Sequence, residues 1–281
     1  MKTIKYLMCL FVLLIVVVLA IPSGVNNTYP SHGVLNWRGQ NWTLTSGYGD
    51  PGNNYWNNIT GAQIDEQPSG GNTYPLHGIL NWKGQDWSLT SGYANPGNNY
   101  WSNTGAWIDD QNRLHLTIVN DNGIWKSTML NSQNTYRYGI FTWNVSSPVF
   151  NFDKNCVVGL CTYLDDSHEL NIITSRWGET NGNQLWYSVE PSKIEGNSRD
   201  YLVPSSVEGT NTTYRIEWEP NYVRFTSVEA DGTVIADYNN TNASAIPQEP
   251  QHIIMNLWLT DSPSDGKNID LIISDFKVVN D

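Results

Sequence analysis

The stretch CVVGLCTYLDDSHELNIITSRWG, residues 156–178, reads as two strands about a turn. CVVGLCTY and HELNIITS are short β-branched and apolar runs, and the Asp165-Asp166-Ser167 step between them is turn chemistry. A strand places alternate side chains on opposite faces. In the second run Glu169, Asn171, Ile173, Ser175 and Trp177 share one face, and Leu170, Ile172 and Thr174 share the other. In the first run Cys156 and Cys161 fall on opposite faces, too far apart to bridge. Two free, buried thiols are expected, which counts against a strongly oxidising compartment.

Outward from this hairpin the same pattern continues. LHLTIV, TYRYGIFTWNV, QLWYSVE, TYRIEWEP, YVRFTSVEA, HIIMNLWLT and LIISDFKVV alternate, or are β-branched and aromatic, with DNG, ADG and PSDG turns between several of them. EPNYVRF and EADGTVIA predict a pair of hairpins, and no amphipathic helix is evident. So many short strands predict an all-β fold: two packed antiparallel sheets in a jelly-roll sandwich.

Composition agrees. The 281 residues are 39% hydrophobic and only 15% charged, with 13 Trp and 15 Tyr against 6 Phe, which suits an extracellular all-β protein. A net charge of −12 argues against a nucleic-acid partner, because phosphate binding needs clustered Lys and Arg. The five histidines, His32, His77, His115, His168 and His252, show no metal-ligand spacing, and no cofactor is indicated.

Residues 1–21 read as a signal peptide or an N-terminal membrane anchor: Lys2 and Lys5 precede an apolar run, and Val18-Leu19-Ala20 is an acceptable cleavage site. Cys9 lies inside it without the small preceding residue that lipid attachment wants. Secretion or cell-surface display is expected. Sequons occur at Asn26, Asn41, Asn58, Asn144, Asn211, Asn239 and Asn242. A tandem repeat then dominates. TYPSHGVLNWRGQNWTLTSGYGDPGNNYWNN from Thr28 returns as TYPLHGILNWKGQDWSLTSGYANPGNNYWSN from Thr73, with roughly three quarters of positions identical. The second copy runs on without a break, whereas the first ends in a Pro/Gly/Ser linker. Residues 26–67 are therefore assigned as a duplicate of the leading segment, 68–72 as linker and 73–281 as the domain. The duplicate is either a peripheral, tolerated copy or an extra ligand-contacting or strand-donating module, since a spare strand can exchange with its twin.

The segments PGNNYWSN, AWIDDQNRLHLTI, VVGLCTYLDD with HELNIITSRWG, YRIEWEPNYVRFTSVEADG and IIMNLWLTD, in this order, resemble glycoside hydrolase family 16, the laminarinase and lichenase group. The resemblance runs from about Thr73 to the C-terminus. It implies a concanavalin A-like jelly roll, a β-glucan-type polysaccharide as partner, and a strand motif Glu-x-Asp-x-Glu, sometimes with one more residue before the second Glu. Carried over, Glu169 matches the nucleophile, Asn171 stands at the middle Asp and Ile173 at the acid/base; with the longer spacing that last position is Thr174. Trp258 matches a cleft aromatic. Trp177, Trp125 and Trp186 are further candidates for stacking on sugar rings, and Arg176 is expected to pair with an acid. A structural calcium ion would accord with the resemblance, but no acidic loop demands it.

Retaining glycosidases need two carboxyl groups about 5–5.5 Å apart, one as nucleophile and one as acid/base. Positions four apart on a strand have Cα atoms about 13 Å apart, a gap that two long side chains can close but that Ile173 leaves open. Three readings follow. The first is a catalytically impaired protein that binds polysaccharide through the old cleft. The second is an active endo-β-glucanase borrowing Asp165, Asp166 or Glu179. The third is a surface structural or adhesion protein.

Overall fold

The computed structural model describes residues 72–280, save Leu76, His77 and Asn98, together with the backbone of four short strands before them. The expected signal or anchor, residues 1–21, lies outside the described residues. The chain divides into two compact units, Met1–Ser69 and Gly70–Asp281.

In the first unit, β1 (Gly33–Trp37) pairs with β2 (Gln40–Leu44), and β3 (Gly47–Gly49) with β4 (Asn54–Trp56). The second unit repeats both hairpins in the same register: β5 (Ile79–Trp82) with β6 (Gln85–Leu89), and β7 (Gly92–Ala94) with β8 (Asn99–Trp101). Leu35 opposes Trp42 as Leu80 opposes Trp87, and Tyr48 opposes Tyr55 as Tyr93 opposes Tyr100.

The rest of the second unit is β9 (Ala106–Ile108), β10 (Leu114–Asp121), β11 (Ile124–Tyr136), β12 (Gly139–Val145), β13 (Cys156–Asp165), β14 (His168–Ser175), β15 (Leu185–Val189), β16 (Ser198–Tyr201), β17 (Thr212–Glu219), β18 (Tyr222–Val228), β19 (Val234–Asn240), β20 (Gln251–Leu259) and β21 (Ile269–Val279). One antiparallel sheet runs β5-β6-β11-β20-β13-β14-β15-β16. The other runs β9-β10-β21-β12-β17-β18-β19. The β10–β11 hairpin joins the two, and β8 adds to β11 in parallel. This is the jelly-roll sandwich that the strand pattern predicts. Among the described residues the one helical element is a 3-10 turn, Val149–Asn151.

Alternation builds the core. In β17 every second residue is buried, so Tyr214, Ile216 and Trp218 turn inward. They meet Leu170, Ile172, Ile253, Met255 and Leu257 from the facing sheet in one large apolar cluster. A second, smaller cluster lies apart: Trp101, Met129, Val157, Cys161, Ile254 and Trp258, with Tyr163 and Ile173 against it. These residues have the opposite strand parity and cover the outer face of the β14 sheet. Cys156 belongs to the first cluster and Cys161 to the second, and both are free and buried. Burial pushes both thiols above their usual range.

Candidate functional site

Strand β14 is regular from His168 to Ser175, with an unbroken register against β15 and no shift within Glu169–Ser175 against β13. No extra residue intervenes between Glu169 and Ile173, so the residue that shares a face with Glu169 and Asn171 is Ile173 and not Thr174. Ile173 lies on the outer face, against the smaller cluster. Thr174 faces the other way. With Val149, Phe150, Cys156 and Arg176 it lines a small cavity beneath the sheet.

Register fixes the neighbours. Glu169 is opposite Tyr163, Asn171 opposite Cys161, and Ile173 opposite Gly159. On the other side Ser188 flanks Asn171 and Trp186 flanks Ile173. Asn256 of β20 pairs with Gly159, and a methyl group at Gly159 would overlap the Asn256 amide. The Asn256 side chain therefore reaches across Gly159 towards Ile173. The Oδ1 atoms of Asn256 and of Asn171 are buried without a hydrogen-bond partner. Two unpaired acceptors on one face carry a desolvation cost.

Three of the four candidate tryptophans meet. The Trp177 ring lies edge-on to Trp186 at 6.2 Å and to Trp258 at 5.9 Å. Trp177 reaches them by a route that alternation does not foresee. The strand ends at Ser175, and Trp177 sits in a left-handed turn at φ 51° followed by Gly178 at φ 88°. Its amide donates to Ser175 Oγ at 2.9 Å, which fixes that turn. Trp177 is 39% exposed and is the open platform of the three. Trp258 is only 8% exposed, because Gly97 of the β7–β8 hairpin lies on it; a Cβ there would come within 2.6 Å of the ring. Trp186 is tied by its Nε1–H to the Ser175 carbonyl at 3.0 Å. Trp125 is not part of this group: half-buried at the start of β11, it packs against the core between the sheets.

The acids fall into place as follows. Asp165 accepts from the Ser167 amide and lies 2.8 Å from His168 Nδ1, and Asp166 accepts from Tyr163 OH at 3.1 Å. Asp165 ends β13 and Asp166 follows in the turn, both at the Glu169 end of β14 and remote from Ile173. Glu179 is exposed in the turn after Trp177, its amide bonded to the Arg176 carbonyl. Arg176 itself donates to the Phe152 carbonyl at 2.6 Å, where pairing with an acid was expected. The acid that faces Glu169 is Glu190. It lies one residue past β15, and its amide donates to the Glu169 carbonyl at 2.9 Å. The alternation of Trp186, Ser188 and Glu190 in QLWYSVE was the signal that could have found it.

Glu169 is half-buried. Burial, and after it the charges of Glu190 and Asp166, push its carboxyl up to about 7 against the opposing hydrogen bond from Asn171. Below that pH Glu169 carries its proton, and Ile173, two places beyond Asn171 on the same face, has no ionisable group. Among the described residues no group of three or more His, Cys, Asp and Glu side chains is placed to hold a metal ion.

The sequence profile of glycosyl hydrolases family 16 matches residues 95–272, well over half of the chain. No curated protein matches by sequence. Among solved structures, a Bacillus licheniformis β-glucanase is similar at 18% identity and TM-score 0.55, over 76% of this chain and 100% of that one. A laminarinase from Flavobacterium sp. UMI-01 is similar at 15% identity and TM-score 0.55, over 69% of this chain and 93% of that one. A prokaryotic β-1,3-1,4-glucanase (lichenase) from a mouse hindgut metagenome is similar at 19% identity and TM-score 0.51, over 69% of this chain and 92% of that one. At these identities the likeness is one of fold, and the profile adds the lineage: the chain belongs to glycoside hydrolase family 16.

Proposed function

We propose that this protein is an exported, catalytically impaired member of its family that binds a β-glucan-type polysaccharide along the outer face of the β14 sheet. The observation that carries the reading is Ile173: an apolar side chain on the site face, on a regular strand, at the position of the acid/base. Without a general acid the leaving sugar departs as an alkoxide, and positioned acid/base catalysis is typically worth about 10²–10⁴-fold. The covalent step then also lacks its base.

The features that suit sugar binding remain. Trp177 offers an exposed ring to the CH face of a pyranose. Asn171 and Asn256 set amide side chains on the same face. Gel-retardation against laminarin, cellulose derivatives and mixed-linkage glucan tests the reading. The wild type is expected to be retarded by at least one of them. Trp177→Ala is expected to weaken that binding about three- to tenfold, the worth of one aromatic stack. Retardation by none of the glucans, or binding indifferent to Trp177, would contradict it.

A further inference from the structure

Glu190 has no place in the family's strand motif. The register that sets Asn171 opposite Ser188 sets Glu190 opposite Glu169 one pair further on. Cα atoms of such a hydrogen-bonded antiparallel pair are about 5.5 Å apart, so two glutamates on one face lie within each other's field. Both are on the outer face, since Leu170 and Val189, their neighbours along the two strands, are fully buried in the core. The Glu190 carboxylate is held: Ser188 Oγ donates to Oε1 at 3.1 Å and the Ser192 amide to Oε2 at 2.6 Å. Asn171 joins the network, its Nδ2 donating to Ser188 Oγ at 3.2 Å.

The other groups around Glu169 are mostly acidic or neutral. β13 presents Cys161 and Tyr163 and ends at Asp165, the turn presents Asp166, and β14 begins with His168. Ser188 and Glu190 come from β15 and its end, with Lys193 and Glu195 in the turn that follows. β20 brings His252, opposite Tyr163, with its Nδ1 engaged by the Ser132 carbonyl.

We propose that Glu190 is a ligand-positioning residue: its carboxyl group, fixed beside Glu169 by Ser188 and the Ser192 amide, sets Glu169 to donate a hydrogen bond to a hydroxyl group of an uncharged glycan. The proposal rests on the glycan-binding reading above and narrows it. A uronate-bearing chain would be repelled by Glu190, Asp165 and Asp166, whereas a neutral glucan is not. It also makes binding depend on pH. The Glu169 carboxyl is pushed up to about 7, by burial first and by Glu190 next. The donor is therefore present below that pH and lost as the pH rises through it.

The test uses the full chain with glutamate labelled by carbon-13 at the side-chain carboxyl, titrated by NMR from about pH 4 to about pH 9. The Glu169 midpoint is expected to fall in Glu190→Gln and to stay near the wild-type value in Glu190→Asp, which keeps the charge. In parallel, calorimetric binding of laminaritetraose is expected to weaken about three- to tenfold across the wild-type midpoint, the worth of one hydrogen bond. In Glu190→Gln that loss is expected at lower pH. An unchanged Glu169 midpoint in Glu190→Gln overturns the role of Glu190, and binding indifferent to pH overturns the donor role of Glu169. A midpoint that shifts as expected with no binding at any pH overturns the glycan reading while leaving the carboxyl pair standing.

Discussion

Ile173 has Gly159 on one side and Trp186 on the other. The glycine leaves room above the sheet, which the Asn256 amide partly fills. A glutamate put there has the strand geometry of a family acid/base. An aspartate at Asn171 restores the charge and proton-sharing capacity that an amide lacks. The double variant Asn171→Asp/Ile173→Glu is therefore expected to release more reducing sugar from a glucan than the wild type does. The gain expected is on the order of 10²–10⁴-fold, or about 3–5 kcal/mol of barrier. A folded, glucan-binding double variant that releases nothing would show that more of the site has changed than two side chains. The facing of Glu169, Asn171 and Ile173 was legible in the sequence, because a period of two is read along a single strand. Trp177 came to the right place for a different reason, a left-handed turn after the strand had ended. Trp125 could be read either way, because alternation separates two faces without saying which one meets the core.

At the scale of elements, the β7–β8 hairpin is the wall that closes over Trp258. Asn99 clamps it: its Oδ1 accepts from Ser127 Oγ and from the Leu259 amide, and its Nδ2 donates to the Leu259 and Pro96 carbonyls. Gly97 then lies on the Trp258 ring at φ 68°. Gly97→Ala is expected to destabilise the protein by about 1–3 kcal/mol in urea unfolding through overpacking, and to weaken glycan binding by displacing Trp258. Gly84→Ala is the control: its φ of 73° is similar, but nothing lies within 4 Å of the added carbon. It carries the backbone strain alone and is expected to leave glycan binding unchanged. Equal effects of the two substitutions would argue that the hairpin does not support the tryptophan. Contacts of this order were not legible in the sequence. Asn256 over Gly159, Gly97 on Trp258 and Glu190 beside Glu169 each join different strands or loops, and their meeting depends on register between segments that no local pattern states.

At the scale of the molecule, the duplicated segment raises the question of what the domain needs. The buried residues of the second copy's hairpins are Leu80, Trp82, Trp87, Leu89, Asn99 and Trp101. The first copy has the same residues, as Leu35, Trp37, Trp42, Leu44, Asn54 and Trp56, and its strands pair in the same register. Its differences in the described part, such as Arg38 for Lys83 and Asn41 for Asp86, fall where the second copy is half-buried or exposed. Removing residues 67–110 joins Glu66 to Gln111 and puts the first copy in the place of the second. That shortened chain is expected to fold with a melting temperature near that of the intact protein, since no buried side chain is lost from the hairpins. A chain that fails to fold would show that the exposed differences, or Gln63 in place of Trp107, matter more than the shared core.

On the proposed reading, Ile173 has ended efficient hydrolysis while leaving the site able to hold glycan. That reading is tested most directly by reducing-sugar release from β-1,3-, β-1,4- and mixed-linkage glucans, measured side by side for the purified wild type and Glu169→Ala. The two proteins are expected to release equally little from every glucan. Release by the wild type that disappears in Glu169→Ala would contradict it, and would mean that another carboxyl group supplies the proton.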